Sequence, residues 1–227
     1  MKIWKKYMEK GIGIISKPVG KLVKLGFKIT FLLLFTLLIV VAFWFNYIRY
    51  QGNFYKIDST LFRSGQLYFY NLPVYWKKFH FKSILNLRGV ELQGKWYQFE
   101  KQFARFHRIK LITLSLSDRQ EVPPERLMEI VKLVEQLPKP VLIHCKAGAD
   151  RTGLIVAAYL RWKGDLRWKG MLSIKFGHFP YLGSPTEAMD RSLVKFEKFL
   201  TYRKGVFNGG AKGDRTDTGR ENPSIGR

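Results

Sequence analysis

Apolar residues follow two distinct patterns along this chain. The first is one uncharged run, residues 29–48, which reads ITFLLLFTLLIVVAFWFNYI and lies between Lys28 and Arg49. In a helix that rises ~1.5 Å per residue, this run spans about 30 Å, the thickness of the hydrocarbon core of a bilayer. Trp44 and Tyr47 lie near its end, where aromatic rings favour the membrane interface. The pattern predicts one N-terminal transmembrane helix.

A buried core helix and a cleaved signal peptide are the two alternatives for this run. A core helix rarely stays uncharged over such a length, and the bulky residues 43–45 offer no small-residue cleavage site. An uncleaved signal anchor is therefore the preferred interpretation. Eight lysines precede the run, whereas the next twenty residues contain only Arg49, Lys56 and Arg63 as basic residues. The positive-inside rule then predicts a single-pass protein of a bacterial inner membrane, with a cytoplasmic N-terminus and a periplasmic main domain.

After residue 49, short apolar segments alternate with amphipathic ones. Residues 83–87, 111–114 and 141–143 have strand-forming patterns, and the last is apolar throughout, as in a strand buried on both faces. Apolar residues repeat at helical spacing between these segments, at Trp96, Phe99, Phe103 and Phe106 and again at Leu127, Ile130, Val131 and Val134. Alternating strands and helices favour parallel pairing with right-handed crossovers. The expected fold class is α/β, with a central, mostly parallel sheet flanked by helices.

Two more helices are expected after the third strand. Residues 154–160 are apolar almost all round, so this helix should be buried, and residues 184–187 (Ser-Pro-Thr-Glu) form a capping-box pattern at the start of a last helix. From Gly205 onward, glycine and charged residues prevail without an apolar period, which predicts a disordered tail. The expected organisation is a basic cytoplasmic flank (1–28), a transmembrane signal anchor (29–48), one main folded domain (49–204) and the tail (205–227).

Composition adds a strong positive charge to this picture. The chain has 40 lysines and arginines against 17 acidic residues, a net charge of +23. Such a surface attracts polyanions, so we expect an anionic membrane or phosphorylated substrates as partners. Nucleic acid is not expected, because the sequence contains no recognisable nucleic-acid-binding module. The single cysteine, Cys145, excludes an intramolecular disulfide, and no Cys/His spacing typical of a metal site is present.

Cys145 lies in the segment HCKAGADRTG, residues 144–153, directly after the third predicted strand. A lone cysteine is usually a small buried hydrophobe. Here, however, small residues form a loop and an apolar helix begins near Arg151. A strand, a tight loop and a helix direct several backbone N–H groups at one point, which suits an oxyanion such as phosphate. The same groups and the helix dipole favour the nucleophilic thiolate, and Arg151 adds a fork of donors for two phosphate oxygens.

The pattern His-Cys-x5-Arg-Thr-Gly resembles the signature of the protein-tyrosine phosphatase superfamily, specifically its compact, bacterial dual-specificity-like branch. The similarity runs from about residues 62–66 through 84–88 to Leu160, and residues 181–190 also look like bacterial members. It implies the cysteine-phosphatase fold, hydrolysis of phosphate monoesters through a phosphocysteine on Cys145, and no metal or other cofactor. It also implies that phosphate is bound by Lys146, Ala147, Gly148, Ala149, Asp150 and Arg151, with support from His144 and Thr152.

The general acid is left open between two aspartates. Members of the family usually supply an Asp from a loop before the signature strand, and Asp118 follows the 111–114 strand at the edge where the signature loop lies. Asp150 is the rival, because loops ending in Asp-Arg-Thr resemble bacterial lipid-and-tyrosine phosphatases and, more distantly, the myotubularins. Asp150 could instead orient Arg151, Asp118 could be an ordinary solvated carboxylate, and Glu121 is a remote third candidate.

The substrate class is also open. Membership of this branch favours phosphotyrosine or phosphoserine and phosphothreonine in proteins. Lys146, the basic domain and the anchor favour a membrane lipid, phosphoinositide, inositol phosphate or lipid-linked sugar phosphate, because a second loop cation suits a more highly charged substrate. Lys146 could also be a solvated lysine. Arg88 either lines the pocket rim or makes a structural ion pair.

Two other classes of protein use similar loops. An inactive phospho-binding module is a minor alternative, which the intact Cys145, Arg151 and Thr152 disfavour. A sulfurtransferase or an arsenate reductase is disfavoured by His144 and by the Arg-Thr-Gly sequence after the loop. The sequence therefore predicts an active phosphatase that uses Cys145.

Overall fold

The structure is a computed structural model that describes residues 2–179 and 183–210. The chain divides into two compact units, Met1–Tyr50 and Gln51–Arg227. Residues 211–227, most of the expected disordered tail, lie outside the described residues, as do residues 180–182 of the segment that resembles bacterial phosphatases.

The first unit is one helix, α1 (Lys2–Tyr50). Its stretch Leu22–Trp44, 23 residues, is long and apolar enough to cross a membrane. Two polar side chains within α1 bond to carbonyls of the helix itself: the Thr36 hydroxyl to Leu32 O, and Asn46 Nδ2 to Ala42 O at 2.8 Å. Such local bonds satisfy the two polar side chains within the helix itself.

The second unit contains a five-stranded sheet in the order β1-β2-β5-β3-β4. Strands β2, β5, β3 and β4 are parallel, and β1 pairs with β2 in the antiparallel direction at one edge. The strands are β1 (Tyr55–Lys56), β2 (Leu61–Ser64), β3 (Ser83–Asn86), β4 (Lys110–Thr113) and β5 (Val141–His144). The predicted mostly parallel sheet is confirmed, and its three predicted strands are β3, β4 and β5.

Helices cover both faces of this sheet. They are α2 (Leu72–Phe79), α3 (Lys95–Phe106), α4 (Pro124–Gln136), α5 (Asp150–Lys163) and α6 (Glu187–Gly210), with two short 3-10 turns, Leu166–Gly170 and Ile174–Phe176. Alternate strand residues point to opposite faces. Thus Leu142 of β5 packs with residues of α2 and α3, whereas Val141 and Ile143 pack with α4, α5 and α6.

Helix α5 is the central helix of the second face. Residues Leu154–Leu160 are all buried, as the sequence predicts for a helix that is apolar all round. The apolar pattern predicts burial less accurately at the end of α3, where Phe106 is 82% exposed. At the start of α6 the capping pattern takes another form: the Ser184 hydroxyl pairs with the Thr186 hydroxyl, and Ser184 O accepts the Glu187 N–H.

Candidate active site

The candidate site lies at one edge of the sheet. Because β2, β3, β4 and β5 are parallel, the loops after their carboxyl ends meet at this edge. These loops are residues 65–71, 87–94, 114–123 and 145–149. The loop after β5 contains Cys145 and lies between the loops after β2 and β3. The sheet therefore brings Cys145, Arg151 and the Asp118 loop together, as the sequence predicts.

Cys145 begins the phosphate loop, residues 145–149. Its side chain is buried, and the Gly148 N–H donates to Sγ at 3.2 Å. Gly148 has φ +76°, and a Cβ at this position would lie 2.4 Å from the Gly65 nitrogen. Only glycine fits both the left-handed conformation and this close approach. Gly148 therefore allows the backbone to curl around the sulfur.

Three successive carbonyls of the phosphate loop are bonded by donors outside it. The bonds run from Gln66 N to Lys146 O (3.0 Å), from Asn53 Nδ2 to Ala147 O (3.0 Å) and from Arg63 Nη2 to Gly148 O (2.6 Å). In a trans peptide the N–H points opposite to the C=O. The next N–H groups, of residues 147–149, therefore face the concave side, where they form a cradle for an anion.

Arg63 supports this loop from behind. The Arg63 side chain extends from β2 and is fully buried. Its Nη1 donates to Met171 O at 2.7 Å, and its guanidinium lies 3.8 Å from the centre of the Phe176 ring. Burial lowers the pKa of Arg63 to about 10, while the nearby Cys145 acts in the opposite direction. No carboxylate pairs with Arg63 among the described residues. The sequence alone did not indicate a role for this arginine.

Arg151, in the first turn of α5, spans the loops after β3 and β4. Its Nη1 donates to Leu87 O at 3.3 Å and to Leu116 O at 3.2 Å, and its Nη2 lies 3.7 Å from Asp118 Oδ2. Its Nε is buried without a partner in the described part of the chain. The guanidinium is thus fixed at the loop, and its Nε–H remains available as a donor. Asp118 beside it is 38% exposed and within reach of solvent.

Asp150 has a different environment from Asp118. Its carboxylate lies 2.7 Å from Nδ1 of His178, whose Nε2 lies 2.9 Å from Asp190 on α6. His178 is fully buried. Burial alone lowers the pKa of His178, but the bonds to Asp150 and Asp190 outweigh it and raise this pKa above its usual value. Asp150 is therefore engaged in a partly buried pair with His178, which the sequence did not indicate.

A second buried pair holds the start of the loop. Nε2 of His144 lies 2.8 Å from Glu100 on α3, and its Nδ1 lies 3.3 Å from the Cys145 carbonyl oxygen. Asn86 and Gln66 also donate to Glu100, at 2.7 Å and 3.4 Å. Burial alone raises the pKa of Glu100, but His144 and these donors outweigh it and lower the pKa below its usual value. The histidine is thus fixed by an anionic partner from another element.

The remaining predicted residues lie around the same loop. Lys146 is exposed beside the nucleophile, and the buried Thr152 hydroxyl donates to Ser64 O at 3.4 Å. Arg88 stacks at 3.6 Å on the Trp96 ring, donates to the Gln66 side chain at 3.0 Å and lies 3.6 Å from Glu91. Within the described residues, no group of three His, Cys, Asp or Glu side chains could hold a metal ion.

A buried nucleophilic cysteine, a cradle of N–H groups and a fixed arginine at a helix N-terminus define the class of cysteine-dependent phosphatases. The model of the Tyrosine phosphatase family matches residues 49–168, more than half of the chain. The chain therefore belongs to the Tyrosine phosphatase family, and it is a phosphatase.

Curated plant proteins are similar to about half of this chain. Inositol diphosphatase DSP1 of Oryza sativa subsp. japonica is 33% identical over 111 residues, 46% of this chain and 47% of that protein. Inositol diphosphatase DSP4 of Arabidopsis thaliana is 32% identical over 111 residues, 46% of this chain and 52% of that protein. The chain spans about half the length of the curated relatives it matches. The expected bacterial branch is not established by them.

Solved structures share the fold. The core catalytic domain of the PP-IP phosphatase SIW14 from S. cerevisiae, in complex with citrate, has a TM-score of 0.52 at 20% identity, covering 69% of this chain and 93% of that one. PTPMT1 has a TM-score of 0.51 at 17% identity, covering 67% of this chain and 99% of that one. Both support the α/β cysteine-phosphatase fold that the sequence predicts.

Proposed function

We propose that this protein is a membrane-anchored cysteine phosphatase of densely phosphorylated substrates of the inositol type, either a soluble inositol phosphate or a phosphoinositide. The observation that carries the proposal is the exposed Lys146, which adds a cation to a cradle that already contains Arg151 and three N–H groups. The 33% identity with an inositol diphosphatase supports the same substrate class. These findings favour the lipid or inositol alternative over the protein-phosphatase expectation.

The chemistry follows from the site. The Cys145 thiolate attacks phosphorus in line, a P–S bond forms, and the bond to the leaving oxygen breaks. The N–H groups of residues 147–149 and Arg151 stabilise the charge on the phosphoryl oxygens. Water then attacks the phosphocysteine, which releases phosphate and restores the thiolate. Every step uses groups on the edge of the sheet described above.

Asp118 is the proposed general acid, which protonates the leaving oxygen and later takes a proton from the attacking water. Its carboxylate is partly exposed and near Arg151, whereas Asp150 is already paired with the buried His178. Glu121, the third candidate, lies 2.6 Å from Arg191 on α6. The contacts of these three carboxylates therefore favour Asp118.

A high substrate charge fits the rim of the cradle. Lys146 and Arg119 are exposed on two of the four loops at this edge, and Arg88 follows β3 on a third. A substrate with several phosphate groups can engage these cations with the groups that do not react. A phosphotyrosine side chain carries a single phosphate, which is the group that reacts, so a phosphopeptide would leave these cations unused.

A phosphate-release panel tests the proposal. It compares an inositol diphosphate, a phosphoinositide in vesicles and a phosphotyrosine peptide, with Cys145→Ser as the blank. We expect kcat/KM for an inositol substrate to exceed that for the peptide by about tenfold or more, and Lys146→Ala to remove most of this preference. A preference for the peptide, unchanged in Lys146→Ala, would contradict the proposed substrate class and favour a protein phosphatase.

A further inference from the structure

Five large apolar side chains are exposed on two loops at the mouth of the site. We call them the apolar rim: Tyr68, Phe69, Tyr70, Val90 and Leu92. Phe69 is 72% exposed and Leu92 is 66% exposed. Exposed apolar side chains that occur singly need no explanation, but a group beside a functional site marks an interaction surface.

The apolar rim is tied to the phosphate loop. The loop after β2, which carries the three aromatic residues of the rim, also contains Gln66, whose N–H donates to Lys146 O at 3.0 Å. The loop after β3, which carries Val90 and Leu92, also contains Arg88, which donates to the Gln66 side chain at 3.0 Å. Both loops therefore border the cradle directly. A surface that covered the apolar rim would also meet the entrance to Cys145.

The three aromatic side chains form an assembled cluster. The rings of Tyr68 and Tyr70 are stacked, with centroids 5.8 Å apart, and the Phe69 ring meets Tyr70 edge-on at 5.3 Å. Rings that already hold one another lose little conformational freedom when a partner covers them. Tyrosine and phenylalanine beside cations are the side chains that favour the interface between lipid headgroups and acyl chains.

We propose that the apolar rim is a membrane-docking surface, which inserts into the interface of an anionic bilayer and presents the Cys145 cradle to phosphate groups there. Charge supports this partner, because Lys146 and Arg119 are exposed at the same edge and the chain has a net charge of +23. Its helix α1, apolar enough to cross a membrane, favours a lipid surface over a protein partner. The proposal rests on the proposed function only for its substrate, a phosphate group carried by a lipid.

Fluorescent labelling tests docking without catalysis. Cys145 is the only cysteine, so Cys145→Ser provides a background in which Phe69→Cys is labelled alone with nitrobenzoxadiazole. Val194→Cys is the matched control, because Val194 is exposed on α6, which covers a face of the sheet together with α4 and α5. In the full chain reconstituted into vesicles with anionic lipid, we expect blue-shifted emission and quenching by spin-labelled lipid at position 69 but not at 194. Water-like emission at both positions would overturn the proposal.

Kinetics provide a second, independent test. In the otherwise unchanged chain, Phe69→Ser with Leu92→Ser should lower kcat/KM for a vesicle-borne phosphoinositide by about tenfold or more, while turnover of a soluble aryl phosphate stays the same. Equal losses on both substrates, or no loss on either, would overturn docking. If the unaltered protein hydrolyses no lipid phosphate, the proposed substrate fails, but the label at position 69 still reports docking.

Discussion

Three ionisable side chains, Arg63, Glu100 and His178, are buried directly behind the phosphate loop. A buried charge is costly unless partners compensate it. Glu100 faces His144, and His178 faces two carboxylates. Among the described residues, Arg63 contacts carbonyl oxygens, Met171 Sδ and the Phe176 ring but no carboxylate, and Cys145 lies nearby. We therefore expect the anionic sulfur, and later the bound phosphoryl group, to be the charge that compensates Arg63.

Replacing this arginine tests its role in holding the loop. In Arg63→Met the carbonyls of Gly148 and Met171 lose their donor in a buried place, so the free energy of unfolding should fall by about 2 kcal/mol or more. kcat/KM should fall as well, because the Gly148 peptide is no longer fixed. Denaturant unfolding and aryl phosphate kinetics measure both effects. Arg191→Met is the control on the surface of α6, and equal results for the two variants would contradict the role of Arg63.

The two aspartates can be separated by their effects on the leaving group. Asp118→Asn should lower kcat by roughly 100-fold or more for an alkyl phosphate, whose leaving oxygen needs a proton, and much less for an activated aryl phosphate. It should also remove the acidic limb of the pH–rate profile. Asp150→Asn should leave this limb in place. The reverse result would assign the acid role to Asp150.

At the scale of residues, the sequence identified those that act together within one continuous segment. Cys145 and Arg151 belong to one continuous segment, so their spacing in the sequence already describes the loop. Arg63, Glu100 and His178 act from β2, α3 and the segment after α5, and only tertiary packing brings them to the loop. Arg63 directly follows the apolar pair Leu61 and Phe62, and this was the one signal that could have identified such a residue.

At the scale of elements, His178 joins the start of α5 to α6. Its two nitrogens contact Asp150 at the N-terminus of α5 and Asp190 in the first turn of α6. The segment between these helices is therefore held by an imidazole that bridges two carboxylates. Because Asp150 borders Arg151, the same contact also fixes the beginning of the catalytic helix.

This contact predicts a pH dependence of stability. The pKa of His178 is raised in the folded protein, so its protonation stabilises the fold fully below the usual histidine value near 6.5, and this contribution disappears as pH rises through the raised folded value. The free energy of unfolding of the unaltered protein should therefore exceed that of His178→Gln most at acidic pH. Urea unfolding at several pH values measures the difference. A difference that grows with pH would contradict the ion pair.

The elements themselves were predictable where burial and sequence pattern agree. Strand β5 is buried along its length and its first three residues are apolar, and residues 154–160 of α5 are apolar on all sides, so both stand out in the sequence. Strand β2 is equally buried, but two of its four residues are Arg63 and Ser64. The sequence pattern therefore did not mark it as a strand, although it is the parallel neighbour of β5.

At the scale of the whole molecule, the helix α1 and the charge distribution make a prediction about topology. Eight lysines lie before the uncharged run 29–48, so the N-terminus should stay in the cytoplasm and the catalytic unit should be exported. A reporter enzyme that is active only in the periplasm, fused to the C-terminus in a bacterial host, should be active. Activity of a cytoplasm-only reporter instead would reverse the orientation.

The central claim is that Cys145 carries the phosphoryl group during turnover. It is tested most directly by quenching the enzyme in the steady state and analysing the peptide that contains residue 145 by mass spectrometry. We predict one phosphoryl group on Cys145, and neither this adduct nor turnover in a folded Cys145→Ser variant. Turnover that persists in Cys145→Ser, or an adduct on another residue, would contradict the account.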